Sequence, residues 1–182
     1  MRLFIALWPD AATQAGFQAA GRNAVAGAGA RAVPAESLHL TLAFLGQVEA
    51  ERSDAVAQAL AGVAARHAPF ELAMSRIGFF ERARALWLGG LSTAPLSALV
   101  GDLKDQLACA GFPTDRRRFQ PHVTLARHLE EVDPDAPETK LGLGPLAEPL
   151  VWAVDGISLV ASDLDSTGPR YNVLEHWPLG GD

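Results

Sequence analysis

The spacing of apolar positions along this chain changes several times, and the changes mark its elements. Arg2–Trp8 is a short apolar run of strand type. Pro9-Asp10 then opens a helix, since proline suits a first helical turn, and an alanine-rich stretch carries it to about Val25. Ala26-Gly-Ala-Gly-Ala30 reads as a flexible break. Its glycines at 27 and 29 do not complete a dinucleotide fingerprint, because position 32 is alanine, and no phosphate-loop lysine follows. Ser37–Leu45 is a second strand ended by Gly46, and Glu51–Arg66 is helical in pattern. Phe70–Phe80 and Ala85–Leu91 read as two strands joined by the charged turn 81–84. Ser92 or Thr93 caps a helix running to about Ala110, with Gly111 and Pro113 closing it. His122–Arg127 is another short strand. Residues 130–149, rich in proline, glycine and acids, read as an irregular surface loop. Val151–Ala161 and Arg170–Trp177 are the last two strands, with a turn at 165–169.

This irregular alternation argues for an α+β fold with mainly antiparallel sheet rather than a doubly wound parallel one. Each half carries a helix followed by a strand bearing His-x-Thr. The expectation is therefore one domain over residues 1–182, made of two similar lobes.

Composition narrows the partners. Hydrophobic residues make up 49% and charged residues 20%, which are ordinary globular values. The net charge of −6 argues against a broad electrostatic grip on long nucleic acid, but leaves room for a small anion in a local pocket. Cys109 is the single cysteine, so no internal disulfide forms, and a reducing, cytoplasmic setting fits. It falls in a helical pattern and is expected to be buried and inert. The apolar run at Leu3–Trp8 is too short for a signal-peptide core, and no run is long enough to span a membrane.

The chemistry concentrates in two strings, His39-Leu-Thr-Leu42 and His122-Val-Thr-Leu125. Residues i and i+2 of a strand share a face, so His39 pairs with Thr41 and His122 with Thr124, each over an apolar back. Five histidines and seven threonines scattered at random would give roughly 0.2 such occurrences, so two copies with matching flanks point to function. Histidine moves protons near neutral pH, and two across one cleft can divide the roles of acid and base. Hydroxyls beside them can hold phosphate oxygens. In-line displacement at phosphorus needs this layout, and needs no metal if the imidazoles carry the protons.

The paired tetrads resemble those of the 2H phosphoesterase superfamily. Ser37–Gly46, Arg118–Arg127, the start Arg2–Leu7 and the end Tyr171–Pro178 are similar to the bacterial RNA 2′,3′-cyclic phosphodiesterase branch, first named 2′-5′ RNA ligase. The resemblance implies a bilobal α+β fold with two pseudo-twofold-related lobes, outer helices and a central cleft. It implies metal-independent hydrolysis of RNA 2′,3′-cyclic phosphate ends to 2′-phosphate. It implies that His122 is the proton acceptor that activates water, and that His39 is the proton donor to the departing 3′ oxygen. Thr41 and Thr124 would bind the phosphate. No cofactor is called for.

Further candidates rest on residue type. Arg127 suits a phosphate, although a regular strand would turn it away from Thr124. Arg116, Arg117 and Arg118 form either a basic rim or a solvated turn. Phe44, Trp87 and Tyr171 could stack on a base, though such positions are more often core. His67 and His176 read as structural, and His128 draws attention only as the neighbour of Arg127. The expected partners are RNA ends or small cyclic nucleotides, with no membrane. A monomer is the simplest reading for a cleft built inside one chain. Two competing readings are a module that binds nucleotides or RNA ends without turnover, and an ATP-independent, reversible 2′-5′ RNA ligase.

Overall fold

Strand β1 (Arg2–Leu7) leads into helix α1 (Ala11–Gly27) in the computed structural model, which describes residues 1–28, 30–115, 117–127, 142–165 and 168–180. Asp10 caps α1 by accepting from the Thr13 amide at 2.7 Å. The helix runs two residues past Val25, so Ala26 and Gly27 belong to it rather than to a break. A two-residue strand β2 (Arg31–Ala32) and a 3-10 turn (Ala35–Ser37) follow. Strand β3 spans Leu40–Gln47, so Ser37 and His39 precede it. A second 3-10 turn leads into α2 (Ser53–Arg66), and β4 (Phe70–Phe80) pairs with β5 (Ala85–Gly89). Helix α3 (Ala94–Cys109) is capped by Thr93, whose hydroxyl accepts from Leu96 N at 3.4 Å.

The chain then forms β6 (His122–Arg127), β7 (Gly144–Val154), β8 (Gly156–Asp165) and β9 (Gly168–Pro178). Two expectations are corrected here. Residues 144–149 are strand, held by pairing with β4, not loop; residues 130–141 lie outside the described ones. Val151–Ala161 is not one strand but the end of β7 and the start of β8, with Asp155 between them. The two parts pair with different neighbours, β4 and β1, which alternation alone does not reveal. Of the 165–169 turn, residues 166 and 167 lie outside the described ones.

Among the described residues the strands form one nine-stranded sheet along the path β7-β4-β5-β6-β3-β1-β8-β9, with β2 added beside β6. Every strand pairing among the described residues is antiparallel. The path reads symmetrically about its centre, where Leu40 of β3 faces Val123 of β6. On either side a strand, a helix and a tetrad strand recur, as β1-α1-β3 and β5-α3-β6. The two halves therefore share one sheet and meet at the tetrads.

The main core lies between the helices and one sheet face. Leu38, Leu40 and Leu42, and Val123 and Leu125, are all 4% exposed or less and belong to it. Phe17 of α1 meets Trp152 edge-on at 5.5 Å. A Cβ on Gly21 would come within 2.6 Å of Leu125, so α1 needs glycine there to lie close to β6. The last turn of α2 is pinned to α3: Asp102 accepts from Arg66 at 3.0 Å and faces His67 Nε2 at 3.0 Å. Cys109 sits on the outer side of α3 and is exposed, contrary to expectation, because the buried face runs through Leu96, Leu99, Val100, Leu103 and Leu107. No helix among the described residues is long and apolar enough to cross a membrane.

The opposite sheet face carries its own small cluster. Phe4, Ala6 and Val160 are buried there beneath Trp8 and Tyr171. In the second half, Trp87 lies across Gly78 and packs on Phe80 at 5.3 Å. A Cβ on Gly78 would overlap that indole. Gly78→Ala is therefore expected to cost about 2 kcal/mol or more, as overpacking does. A urea midpoint unchanged by the substitution would show that the indole moves without cost.

Candidate functional site

Each tetrad histidine is held by its own chain. His39 Nδ1 lies 2.7 Å from the Ser37 carbonyl, and His122 Nδ1 lies 2.8 Å from the Gln120 carbonyl. A carbonyl only accepts, so Nδ1 carries the proton in both rings and Nε2 is left with the lone pair. Two residues separate acceptor from ring in both cases, so both imidazoles are oriented by the same device.

The segment bearing His39 is pinned from behind. Gln14 of α1 is 6% exposed, and its amide donates to the Glu36 and Leu38 carbonyls, each at 3.3 Å. Sequence reasoning missed this residue; a glutamine on the inner face of an otherwise apolar helix was the available signal. Gln14→Leu would strand two carbonyls, an effect of about 1–3 kcal/mol. Lower stability together with lower turnover is expected; unchanged thermal unfolding would show that the carbonyls find other partners.

Both tetrad strands contain a bulge at the same place. Ala6 faces Thr41 while Ile5 faces Ala43, so Leu42 is the extra residue of β3. Trp87 faces Thr124 while Leu86 faces Ala126, so Leu125 is the extra residue of β6. A bulge reverses the alternation beyond it. Burial agrees, since Leu42 and Ala43 are both buried, as are Leu125 and Ala126. Phe44 and Arg127 thereby return to the face that carries Thr41 and Thr124. They occupy matching positions of the two halves. The regular strand assumed in the sequence reading had turned Arg127 away; the bulge turns it back.

Antiparallel pairing at Leu40 and Val123 sets the two tetrads head to tail, with His39 toward Thr124 and Thr41 toward His122. A cleft of about 540 Å³ opens at the His39 end, and His39, Thr124, Arg127 and Tyr171 line it. That size lies within the range of roughly 300–1,000 Å³ typical of small-molecule sites. Thr41 and His122 flank the same centre, toward the other end. Phe44 also lies toward that end. It is 67% exposed rather than core, with its ring 5.9 Å from Phe4. Trp87 is 8% exposed and covered by its neighbours, so its face is not open for stacking. Tyr171 meets His39 edge-on at 5.0 Å. Arg117 pairs with Asp115, His67 with Asp102, and His176 Nδ1 with the buried Ser158 hydroxyl at 3.0 Å. Arg118 is exposed, while Arg116 and His128 lie outside the described residues.

The two imidazoles have different surroundings. His39 sits in an aromatic box, stacked on Trp8 at 5.0 Å and beside Phe4 and Tyr171. Burial pushes its pKa down to about 4; the Ser37 carbonyl opposes this, and Arg127 and His122 add to it. His122 touches Phe80 edge-on at 4.9 Å. Its pKa is also lowered, chiefly by burial, with the Gln120 carbonyl opposing and Arg127 assisting. Arg127 therefore lies close enough to bias both rings. Two imidazoles, two hydroxyls and a guanidinium on one face can hold an anionic group and move protons on both sides of it.

Known proteins share this arrangement of elements. An RNA 2′,3′-cyclic phosphodiesterase of Geobacillus stearothermophilus is 38% identical over 149 residues, covering 80% of this chain, which spans 46% of that relative's length. One of Escherichia coli strain K12 is 37% identical over 82% of this chain and 80% of its own. The crystal structure of E. coli LigT complexed with 3′-AMP matches with a TM-score of 0.81 at 31% identity, covering 98% of this chain and 97% of that one. TT0787 of Thermus thermophilus matches with a TM-score of 0.83 at 28% identity over the full length of both. Residues 9–166 match the family model of the 2′-5′ RNA ligase superfamily. With one residue of each tetrad lining the cleft, and with these matches across most of its length, the chain belongs to the 2′-5′ RNA ligase superfamily, whose members are 2H phosphoesterases.

Proposed function

We propose that this protein hydrolyses 2′,3′-cyclic phosphate ends of RNA to 2′-phosphates. The observation that carries this reading is the matched pair of histidines, each with Nδ1 held by a backbone carbonyl and Nε2 left for chemistry. The relatives named RNA 2′,3′-cyclic phosphodiesterase support the choice of substrate.

In this reading Thr41, Thr124 and Arg127 hold the phosphate oxygens. His122 takes a proton from water as its oxygen attacks phosphorus. The bond from phosphorus to the 3′ oxygen breaks, and His39 delivers a proton to that oxygen. A 3′-hydroxyl and a 2′-phosphate result. Proton exchange with solvent restores neutral His122 and protonated His39. With a 5′-hydroxyl in place of water, the same displacement would form a 2′-5′ linkage and release the 3′ oxygen as a hydroxyl, so joining of ends without ATP follows from the same groups.

The surroundings of His39 bear on this division. Burial favours its neutral form in the free protein, whereas a donor must be protonated. The anionic phosphate offsets this, because a negative charge against the ring favours imidazolium. The kcat/KM profile, which reports the free protein, should therefore peak at lower pH than the kcat profile. Both should be bell-shaped, with limbs belonging to the coupled pair. Coincident maxima would remove the role given to the bound phosphate.

The reading is tested by incubating the protein in EDTA with a short RNA ending in a 2′,3′-cyclic phosphate, then assigning the terminal isomer. A 2′-phosphate is expected. An unchanged cyclic end, with tight binding, would favour a module that recognises the end without turnover.

A further inference from the structure

The positive charge of the cleft extends beyond the phosphate site. The chain as a whole is acidic, at −6, yet Arg31, Arg127 and Arg170 all line the cleft, with Glu36 as the one acid among the described residues that line it. Arg31 lies on β2, directly opposite Arg127 in the antiparallel register. Residues directly opposite share a face, so Arg31 continues outward from Arg127. Strand β2 is only two residues long, and the Val33 amide tethers its end to the Leu125 carbonyl at 2.8 Å. Arg170 also lines the cleft, next to Tyr171, which touches His39, and directly opposite Asp163 of β8 in the antiparallel register.

Direction follows from the tetrads. The cleft opens at the His39 end, and His39 is the group placed at the departing 3′ oxygen. The ribose of the reacting end then lies toward Arg127, and the chain leading to it leaves through the outer cleft. Its next phosphates pass between Arg31 and Arg170. Planar guanidinium groups match phosphate oxygens in pairs.

We propose that Arg31 and Arg170 form a subsite for the phosphates upstream of the reacting end, so that the protein selects RNA ends over lone cyclic nucleotides. The inference rests on the reading of the tetrads given above.

The test compares a nucleoside 2′,3′-cyclic monophosphate with a trinucleotide ending in 2′,3′-cyclic phosphate, using Arg31→Gln/Arg170→Gln against the unaltered protein. The double variant should lose about thirtyfold in kcat/KM on the trinucleotide, mostly through KM. It should stay within about twofold on the monophosphate. The dependence of log kcat/KM on log salt should flatten by about 1.4, at roughly 0.7 per single-strand phosphate contact. Arg31→Lys/Arg170→Lys should recover most of the loss. Equal losses on both substrates, or an unchanged trinucleotide, would overturn the proposal.

Fluorescence anisotropy with a labelled trinucleotide bearing a 2′-phosphate reads the subsite separately from turnover. If the unaltered protein hydrolyses neither substrate, the proposed function fails on its own. Weaker trinucleotide binding by the double variant would still support the subsite, and equal binding would overturn it.

Discussion

His39→Ala and His122→Ala should each lower kcat/KM on a cyclic phosphate end about a thousandfold, within the range of roughly 10²–10⁴ seen when a positioned acid or base is removed. The double variant should fall little further, since two groups acting in one displacement do not contribute additively. Circular dichroism should stay native for His122→Ala, whose ring touches one aromatic neighbour. For His39 the box of Trp8, Phe4 and Tyr171 loses its centre, so His39→Asn is the second variant to compare. Near-normal turnover in either single variant, measured on a short RNA, would contradict the acid–base account.

Arg127→Leu should act in two ways at once. Losing a charged partner of the phosphate should lower kcat/KM about a hundredfold. It should also shift the pH profile. The guanidinium lowers the pKa of both His39 and His122, because a positive charge nearby disfavours a second one. Removing it raises both, so the limbs of the kcat/KM profile should move to higher pH. Arg127→Lys should keep the limbs near their original positions while losing the paired geometry. A lower rate with unmoved limbs in Arg127→Leu would mean that Arg127 touches the phosphate without biasing the imidazoles.

Much of this site was legible in the sequence because its logic is local. Alternation placed His39 with Thr41 and His122 with Thr124, over backs that are now seen to be buried. Caps and turns gave α3 its Thr93 start, and β4 and β5 their joining turn. Features set by neighbouring strands escaped. The bulges at Leu42 and Leu125 arise from pairing with β1 and β5, and they decide where Phe44 and Arg127 point. Strand β7 begins in a segment rich in proline and glycine, because β4 offers it an edge to pair with. The corner at Asp155 changes partners while burial keeps alternating through it. Gln14 escaped because its importance lies in two carbonyls on another segment.

In the proposed mechanism the two histidines divide the protons, with His39 serving the departing oxygen. A substrate whose bridging 3′ oxygen is replaced by sulfur separates the two roles, since a thiolate leaves without being protonated. On this 3′-thio cyclic phosphate, His39→Ala should recover to within about tenfold of the unaltered protein, having lost a step the substrate no longer needs. His122→Ala should remain inactive, because water must still be activated. Recovery of His122→Ala in place of His39→Ala would reverse the assignment, and recovery of neither would contradict the division of roles.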